Sequence, residues 1–285
     1  MKADFSQLSI AVVGSVNLEI VANVDTFPEP GETVTDAVVN RHPGGKGGNQ
    51  ALAAHRLGAE VCMVACVGDD RAADDALATL KAEGVNLDYC RRLKDVATGL
   101  ALILVSAEGE NQIVVAPGAN AVFSREYLSL PKSDAIIAQL EVPMDTISHL
   151  AAHHDGLFCL NAAPARPEPD SVLAHTDLLV VNEIEARAIG NGLDNYSGLL
   201  ATTYGARGAV LSHKGKEIAR ATPPKITAGD TTGAGDAFTA ALTVFLVGGM
   251  DAQIALDLAC QAGAITATRD GAQGSPLVDE LYFPR

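Results

Sequence analysis

Tryptophan is absent from the 285 residues, and phenylalanine and tyrosine bring the aromatic share to only 4%. A core of this chain must therefore be built mainly from Ala, Val, Leu and Ile, and 48% apolar residues are enough for a sizeable one. Paired cysteines are also lacking. Cys62, Cys66, Cys90, Cys159 and Cys260 are scattered, and no CxxC occurs. Buried free thiols are the reading, rather than a metal cluster or a disulfide frame. No run of 18 apolar residues is present, so no spanning helix is expected. One lysine and then polar residues open the chain without an apolar signal core, so a cytoplasmic protein is expected. Cations are few. Twenty Lys and Arg against 35 Asp and Glu give a net charge of −15. Such a field repels nucleic acid and anionic membranes, and neither is expected as a partner. A phosphate ligand is not excluded, because local backbone donors, a metal ion and a few cations suffice to meet it.

The most informative stretch is Thr227–Leu242, TAGDTTGAGDAFTAAL. It starts polar, passes through Gly233-Ala234-Gly235, and turns into a helix of small residues from Asp236 onward. Glycines before a helix let backbone N–H groups approach a ligand closely. A helix start adds unpaired donors and a partial positive charge, which favour an anion. Asp236 stands at the same place as a base for a hydroxyl proton. An anion hole and a base in one loop suit phosphoryl transfer to an alcohol. Taken alone, the stretch fits a capped helix after a tight turn equally well.

Along the chain, Leu8–Gly14 reads as a buried parallel strand with Ser15-Val16-Asn17-Leu18-Glu19 at its carboxyl end, where open α/β sheets bind ligands. Residues 20–40 are β-rich and broken by Pro28, Pro30 and Gly31, an excursion from the sheet. His42-Pro43-Gly44-Gly45-Lys46-Gly47-Gly48-Asn49-Gln50 then enters an Ala-rich helix. It is not a Walker A loop, since no Ser or Thr follows the lysine. Asn49 suits a ligand hydroxyl, having both a donor and an acceptor. Glu60–Val67 reads as a strand and residues 69–83 as one helix. Residues 99–105 and 112–116 form a hairpin that joins the excursion in a small β layer. From Asp134 onward strands at 135–140, 157–160, 178–181 and 209–212 alternate with helices, ending in a long one at 255–268. This predicts an α/β fold over 1–285: a doubly wound, mostly parallel sheet flanked by helices, with a β-sheet lid from about 20–40 and 98–117.

GGKGGNQA, NAAPAR at Asn161–Arg166, NEIE at Asn182–Glu185, TYGARG at Thr203–Gly208 and DTTGAGDAF at Asp230–Phe238 resemble, in the same order, the ribokinase family of carbohydrate kinases, also called the PfkB family. The resemblance implies an ATP-dependent sugar kinase, with ribose as first substrate and ribose 5-phosphate as product. It implies that Asp236 is the catalytic base and that Thr232, Gly233, Ala234 and Gly235 form the anion hole. Asn17, Glu19, Gly44, Gly45, Lys46, Asn49 and Glu141 match the sugar-binding set. Asn182 and Glu185 match the pair that serves Mg2+-bound phosphates, and Thr203, Gly205, Arg207 and Gly208, with Gly235, the ATP-binding loops. Asp230, Thr232, Thr266, Arg269, Gly271 and Ser275 match loops that hold a monovalent cation, K+, mostly through backbone oxygens. A homodimer through the lid is expected as well.

Two departures stand out. Glu19 occupies a position where the family carries aspartate, so the carboxylate is one methylene longer. It either lines the pocket or points to solvent. Between Glu185 and Thr203 there is room for about one short helix, where the family places a longer crossover. A bare sheet face is expected there, to be covered by a neighbouring helix or a second subunit. The alternatives to a ribose kinase are a kinase for another sugar or a nucleoside, and a non-catalytic sugar-binding protein of kinase descent.

Overall fold

The computed structural model describes residues 4–167 and 170–283. The apolar run at the start becomes β1 (Ser9–Val13), and the chain then leaves it in β2 (Asn17–Val24) and β3 (Val38–Gly44) before helix α1 (Lys46–Arg56). β4 (Glu60–Gly68) follows, then two short helices, α2 (Arg71–Ala76) and α3 (Ala78–Glu83), where the sequence reads as one. β5 (Cys90–Leu93), β6 (Gly99–Ser106) and β7 (Asn111–Ala116) come next. The second half alternates: β8 (Ala135–Gln139), α4 (Met144–His153), β9 (Leu157–Asn161), α5 (Asp170–Leu173), β10 (Leu178–Asn182), α6 (Glu183–Ile189) and β11 (Leu199–Thr203). It closes with β12 (Ala209–His213), β13 (Lys216–Ala221), α7 (Ala234–Val247) and α8 (Ala252–Thr266).

Nine strands form one sheet in the order β13-β12-β11-β10-β9-β8-β1-β4-β5. All neighbours from β5 through to β11 are parallel, and β12 and β13 add an antiparallel edge. The sequence does not single out β13, because KEIARA is too polar to stand out as a strand. β1 lies between β4 and β8, so the chain order reverses there. At such a switch point the loops at the carboxyl ends diverge and leave a crevice.

Both faces of the sheet are covered. Along β1, Ile10 and Val12 join the core on the side of α1, α7 and α8, while Ala11 and Val13 join the core beside Ile147 and Leu150 of α4. This alternation follows from the two-residue period of a strand. On the first side small residues bring α7 and α8 close together, with Phe5, Phe238 and Phe245 filling the space between them and their neighbours. Thirteen of the fourteen residues of α7 fall outside the charged types, and a side chain at Gly263 of α8 would meet the backbone of Ala234 at 3.0 Å.

The short segment after Glu185 does not leave a bare face. A single turn, Gly190–Leu193, leads to Tyr196, which is 7% exposed and donates its hydroxyl to the Thr176 carbonyl at 2.9 Å. Ile189, Leu193 and Leu200 pack on the same core. One large ring thus covers the face that a longer helix would have covered.

The lid is a separate four-stranded sheet, β3-β2-β6-β7, with β2 parallel to β6 and the other pairs antiparallel. Its strands begin earlier and end later than the sequence indicates. Asn17 pairs with Gly44 and Gly99 at the root of this sheet, so residues of the sugar motifs lie in its strands. Residues 25–37 carry no strand.

Candidate active site

Lys46 lies within electrostatic reach of four carboxylates where the lid joins the main sheet. Asp236 enters from the first turn of α7, Glu141 from the end of β8, Glu185 from α6, and Glu19 from β2. Lys46, the first residue of α1, is held in its charged form by Asp236 first, and then by Glu141, Glu185 and Glu19, against the cost of its burial.

Asp236 is buried, and each of its oxygens has a side-chain amide. Asn49 donates to Oδ2 at 2.9 Å and Gln50 to Oδ1 at 2.8 Å. Burial pushes its carboxyl above the ordinary aspartate range, opposed by Lys46 and by the two amides. A carboxyl so raised accepts a proton more readily, while Lys46 favours its ionised form. The Oδ1 of Asn49 is itself buried without a partner. A buried bare acceptor is costly, and it marks a place for a ligand hydroxyl.

Glu19 turns inward rather than to solvent. Burial raises its carboxyl to about 7, opposed by a backbone hydrogen bond from Gly45 and assisted by Asp236 and Glu141. It lies directly over Gly44, where a Cβ would meet Glu19 Oε1 at 2.1 Å. Gly45 has φ 85°, and a Cβ there would stand 2.7 Å from the Asn17 nitrogen. The paired glycines are thus explained by packing against β2. Asn17 accepts from Asn120 Nδ2 at 2.8 Å, which leaves its own amide N–H groups for the pocket. Glu141 Oε2 accepts from the Ser15 hydroxyl and, at 3.2 Å, from the Lys46 backbone N–H.

The loop before α7 is pressed against the loop after α8. Gly233 has φ 76°, and a Cβ on it would overlap the Ala272 carbonyl at 2.0 Å, so only glycine fits. Gly229 donates to Ala267 at 2.9 Å, and Gly271 donates to Asp230 Oδ2 at 3.0 Å. Asp230 Oδ1 also takes the backbone N–H of Thr232 at 2.9 Å and its hydroxyl at 2.6 Å. Burial opposes ionisation of Asp230, but these bonds hold its carboxyl below the usual range. The Thr232 N–H is therefore committed and is no part of an anion hole. Ala234 also donates, to the Thr231 carbonyl at 3.3 Å, so the donors left open at the helix start are those of Gly233, Gly235 and Asp236. Arg269 does not reach Asp230. Its guanidinium donates to the carbonyls of Gly274 and Ser275 and pairs with Glu280. Ser275 Oγ accepts from Arg56 at 3.2 Å, and the Thr266 hydroxyl turns back to Ala262.

On the far side, Asn182 and Glu185 form a reciprocal helix cap. Glu185 accepts from the Asn182 backbone at 2.7 Å, and Asn182 accepts from the Glu185 backbone at 2.9 Å. Burial raises the Glu185 carboxyl. Thr203 pairs with Asn182 across β10 and β11, and Arg207 bonds Glu183 at 2.5 Å while lying over the Tyr204 ring. Gly205 and Gly208 both have positive φ in that turn. Among the described residues, no group of three or more His, Cys, Asp or Glu is clustered to hold a metal ion.

The model of the pfkB family of carbohydrate kinases matches residues 7–279. This chain belongs to that family. A ribokinase from Bacillus subtilis is 39% identical over 280 residues, spanning 93% of this chain and 95% of its own. The crystal structure of a ribokinase from Thermotoga maritima superposes with a TM-score of 0.89 at 32% identity, covering 96% of this chain and 97% of that one. The Arabidopsis thaliana ribokinase complexed with ribose and ATP gives a TM-score of 0.85 at 26% identity, covering 95% and 96%. A deoxyribokinase from Salmonella typhi is 32% identical over 299 residues, spanning 96% of this chain and 97% of its own. For this PfkB kinase the sequence motifs gather at one crevice, but reading them one by one missed Gln50, Gln139, Asn120 and Asn161. All four are buried amides that bond to one another or to site residues. A buried amide needs partners, and that was the available signal.

Proposed function

We propose that the protein transfers the γ-phosphoryl group of ATP to the 5-hydroxyl of ribose, with Asp236 as the base. The observation that carries this reading is the buried Asp236, held by two amides at the start of α7 beside the open N–H groups of its first turn. The sugar oxygen bonds to phosphorus as the bond to the β-phosphate oxygen breaks. The hydroxyl proton passes to Asp236, and ADP leaves. The first-turn N–H groups and Lys46 meet the charge on the phosphoryl oxygens. Asn17, Glu19, Asn49 and Glu141 take the sugar hydroxyls. Gly44 and Gly45 let β2 and α1 close on them.

Mg2+ would be held chiefly by the ATP phosphates and waters with Glu185 nearby, which suits an ion that is bound through one or two carboxylates. It would lower the charge on the transferring group. Thr203, Gly205, Arg207 and Gly208 form the nucleotide side. For K+, the fit is fair: Asp230 is the single carboxylate among loops rich in carbonyls, and Arg269 points elsewhere. The ion would fix the loop that ends in Gly233. The lid would close over the sugar and exclude water. Val38, Val39, Ile113, Val114 and Val115 are exposed on it, and a second copy of the chain would cover them. Five free thiols fit the reducing cytoplasm.

The test is a coupled ADP-release assay over ribose, 2-deoxyribose, other pentoses, hexoses and nucleosides. Ribose is expected to give the highest kcat/KM. Turnover of a nucleoside above ribose would reject the substrate, and no turnover of any alcohol would reject the reaction.

A further inference from the structure

Gln50 and Gln139 are fully buried, Gln50 just before the Ala-rich stretch of α1 and Gln139 at the end of the apolar strand AIIAQ. Burying an amide is unfavourable unless its donors and acceptor are met. Those of Gln50 are met in a chain that ends on the base, while Gln139 Oε1 is buried without a partner. Gln50 Nε2 donates to Asp236 Oδ1 at 2.8 Å and to Asn161 Oδ1 at 3.1 Å. Gln50 Oε1 accepts from Gln139 Nε2 at 2.6 Å. Gly14 makes room for Gln139, since a Cβ there would stand 1.9 Å from Gln139 Oε1. The chain thus links α1, β8 and β9 to the first turn of α7.

We propose that Gln50 is a positioning residue for proton transfer, fixing the Asp236 carboxylate, and that Gln139 fixes Gln50 in turn. The inference rests on Asp236 being the base. Reversing the Gln50 amide would set its carbonyl against the oxygens of Asp236 and Asn161. The donor from Gln139 favours the orientation that holds the base. With Oδ1 tied to Gln50 and Oδ2 to Asn49, the carboxylate cannot rotate, and its remaining lone pairs face a fixed direction. The amide also stabilises the ionised base. The other charges facing Asp236 are Lys46 from α1, Glu19 from β2, Glu141 after β8 and Glu185 from α6. Lys46 alone is positive among them, so a lost amide is not replaced by a neighbouring cation.

Gln50→Leu, Gln50→Met, Gln139→Leu and the double variant Gln50→Leu/Gln139→Leu test this, with Asp236→Asn beside them. The readouts are kcat and KM for ribose and ATP across pH 5 to 9, with calorimetric ribose binding and thermal melts as checks on the fold. Both Gln50 variants are expected to lose about tenfold or more in kcat at neutral pH, with both KM values within about twofold of the parent. The acid limb of the kcat profile moves to higher pH. Gln139→Leu gives a smaller loss of the same kind, and adding it to Gln50→Leu gives no further loss, as coupled residues require. A profile that stays in place, a loss carried by KM, or additive losses would each overturn the proposal. If Gln50→Leu does not fold, Gln50→Met, which keeps length without the donor, decides by the same readouts. If neither folds, Gln139→Leu decides through its own pH profile. Asp236→Asn with near-parental kcat would remove the base assignment itself. An inactive Asp236→Asn beside unshifted Gln50 variants would remove only the role of Gln50.

Discussion

Asn49 donates its amide N–H to Asp236 at 2.9 Å while its own carbonyl oxygen, buried in the same pocket, has no partner. One side chain therefore faces two ways: its donor end holds the proposed base, and its acceptor end is unpaired. On the proposed function, a substrate hydroxyl that met Asn49 would be brought to Asp236 by the same rigid amide. Both residues are carried by helices that pack together, α1 and α7, so the spacing is set by the core rather than by a loop.

Replacing Asp236 with Asn keeps the shape and both amide neighbours but removes the proton acceptor. We expect kcat to fall at least about a hundredfold with ribose affinity largely kept. Steady-state kinetics and calorimetry check this, and turnover within a few-fold of the parent would contradict it.

Glu19 offers a pH test. Its carboxyl titrates at about 7 in the fold, against 4.5 for the free group. Between those values the folded chain binds more protons than the unfolded one, so this group's contribution to stability falls as pH rises through that window. Glu19→Gln should match the parent near pH 4 and exceed it by roughly 2 kcal/mol at pH 8. Denaturant melts at the two pH values measure the difference, and equal gains at both would reject the account.

Potassium should activate, with little effect of sodium. The loops joined by Asp230 and Gly271 supply few charges and many carbonyls, which suits a large monovalent ion. Titration of KCl and NaCl into Tris chloride at fixed ionic strength decides it. A flat response to potassium would leave the loops with a purely structural role.

The lid should mediate a dimer. Val114→Lys with Val38→Lys places charge on its exposed apolar surface. Light scattering at micromolar concentration is expected to show a dimer for the parent and a monomer for the double variant. A parent that is monomeric throughout would end the idea.

Tyr196 covers the sheet beside β11 in place of a longer helix. Tyr196→Ala should cost about 3–4 kcal/mol, as for other large-to-small changes at buried rings, whereas Tyr196→Phe should cost about 1 kcal/mol for its hydrogen bond to Thr176. Thermal unfolding of both variants measures the pair, and an equal loss in each would show that the ring contributes no packing.

The sequence by itself determined the class of fold and singled out Asp236, the residue proposed as the base. Short continuous apolar runs alternating with helices admit little but a parallel sheet covered on both faces, and Gly233-Ala234-Gly235-Asp236 admits few backbone shapes. Glycine spacing is local chemistry, and local chemistry is legible in one dimension. What the sequence left open was decided between segments far apart in the chain. Whether Glu19 faced solvent or the pocket depended on its lying over Gly44, and whether Arg269 would enter the cation loops depended on Glu280. The Thr232 N–H was taken up by Asp230, and the gap after Glu185 was closed by Tyr196 reaching Thr176. Gln50 could be assigned no role until α1 had been set beside β8, β9 and α7, because a hydrogen bond between residues 186 positions apart leaves no periodicity to read. Tertiary packing chose among partners that the sequence only made available.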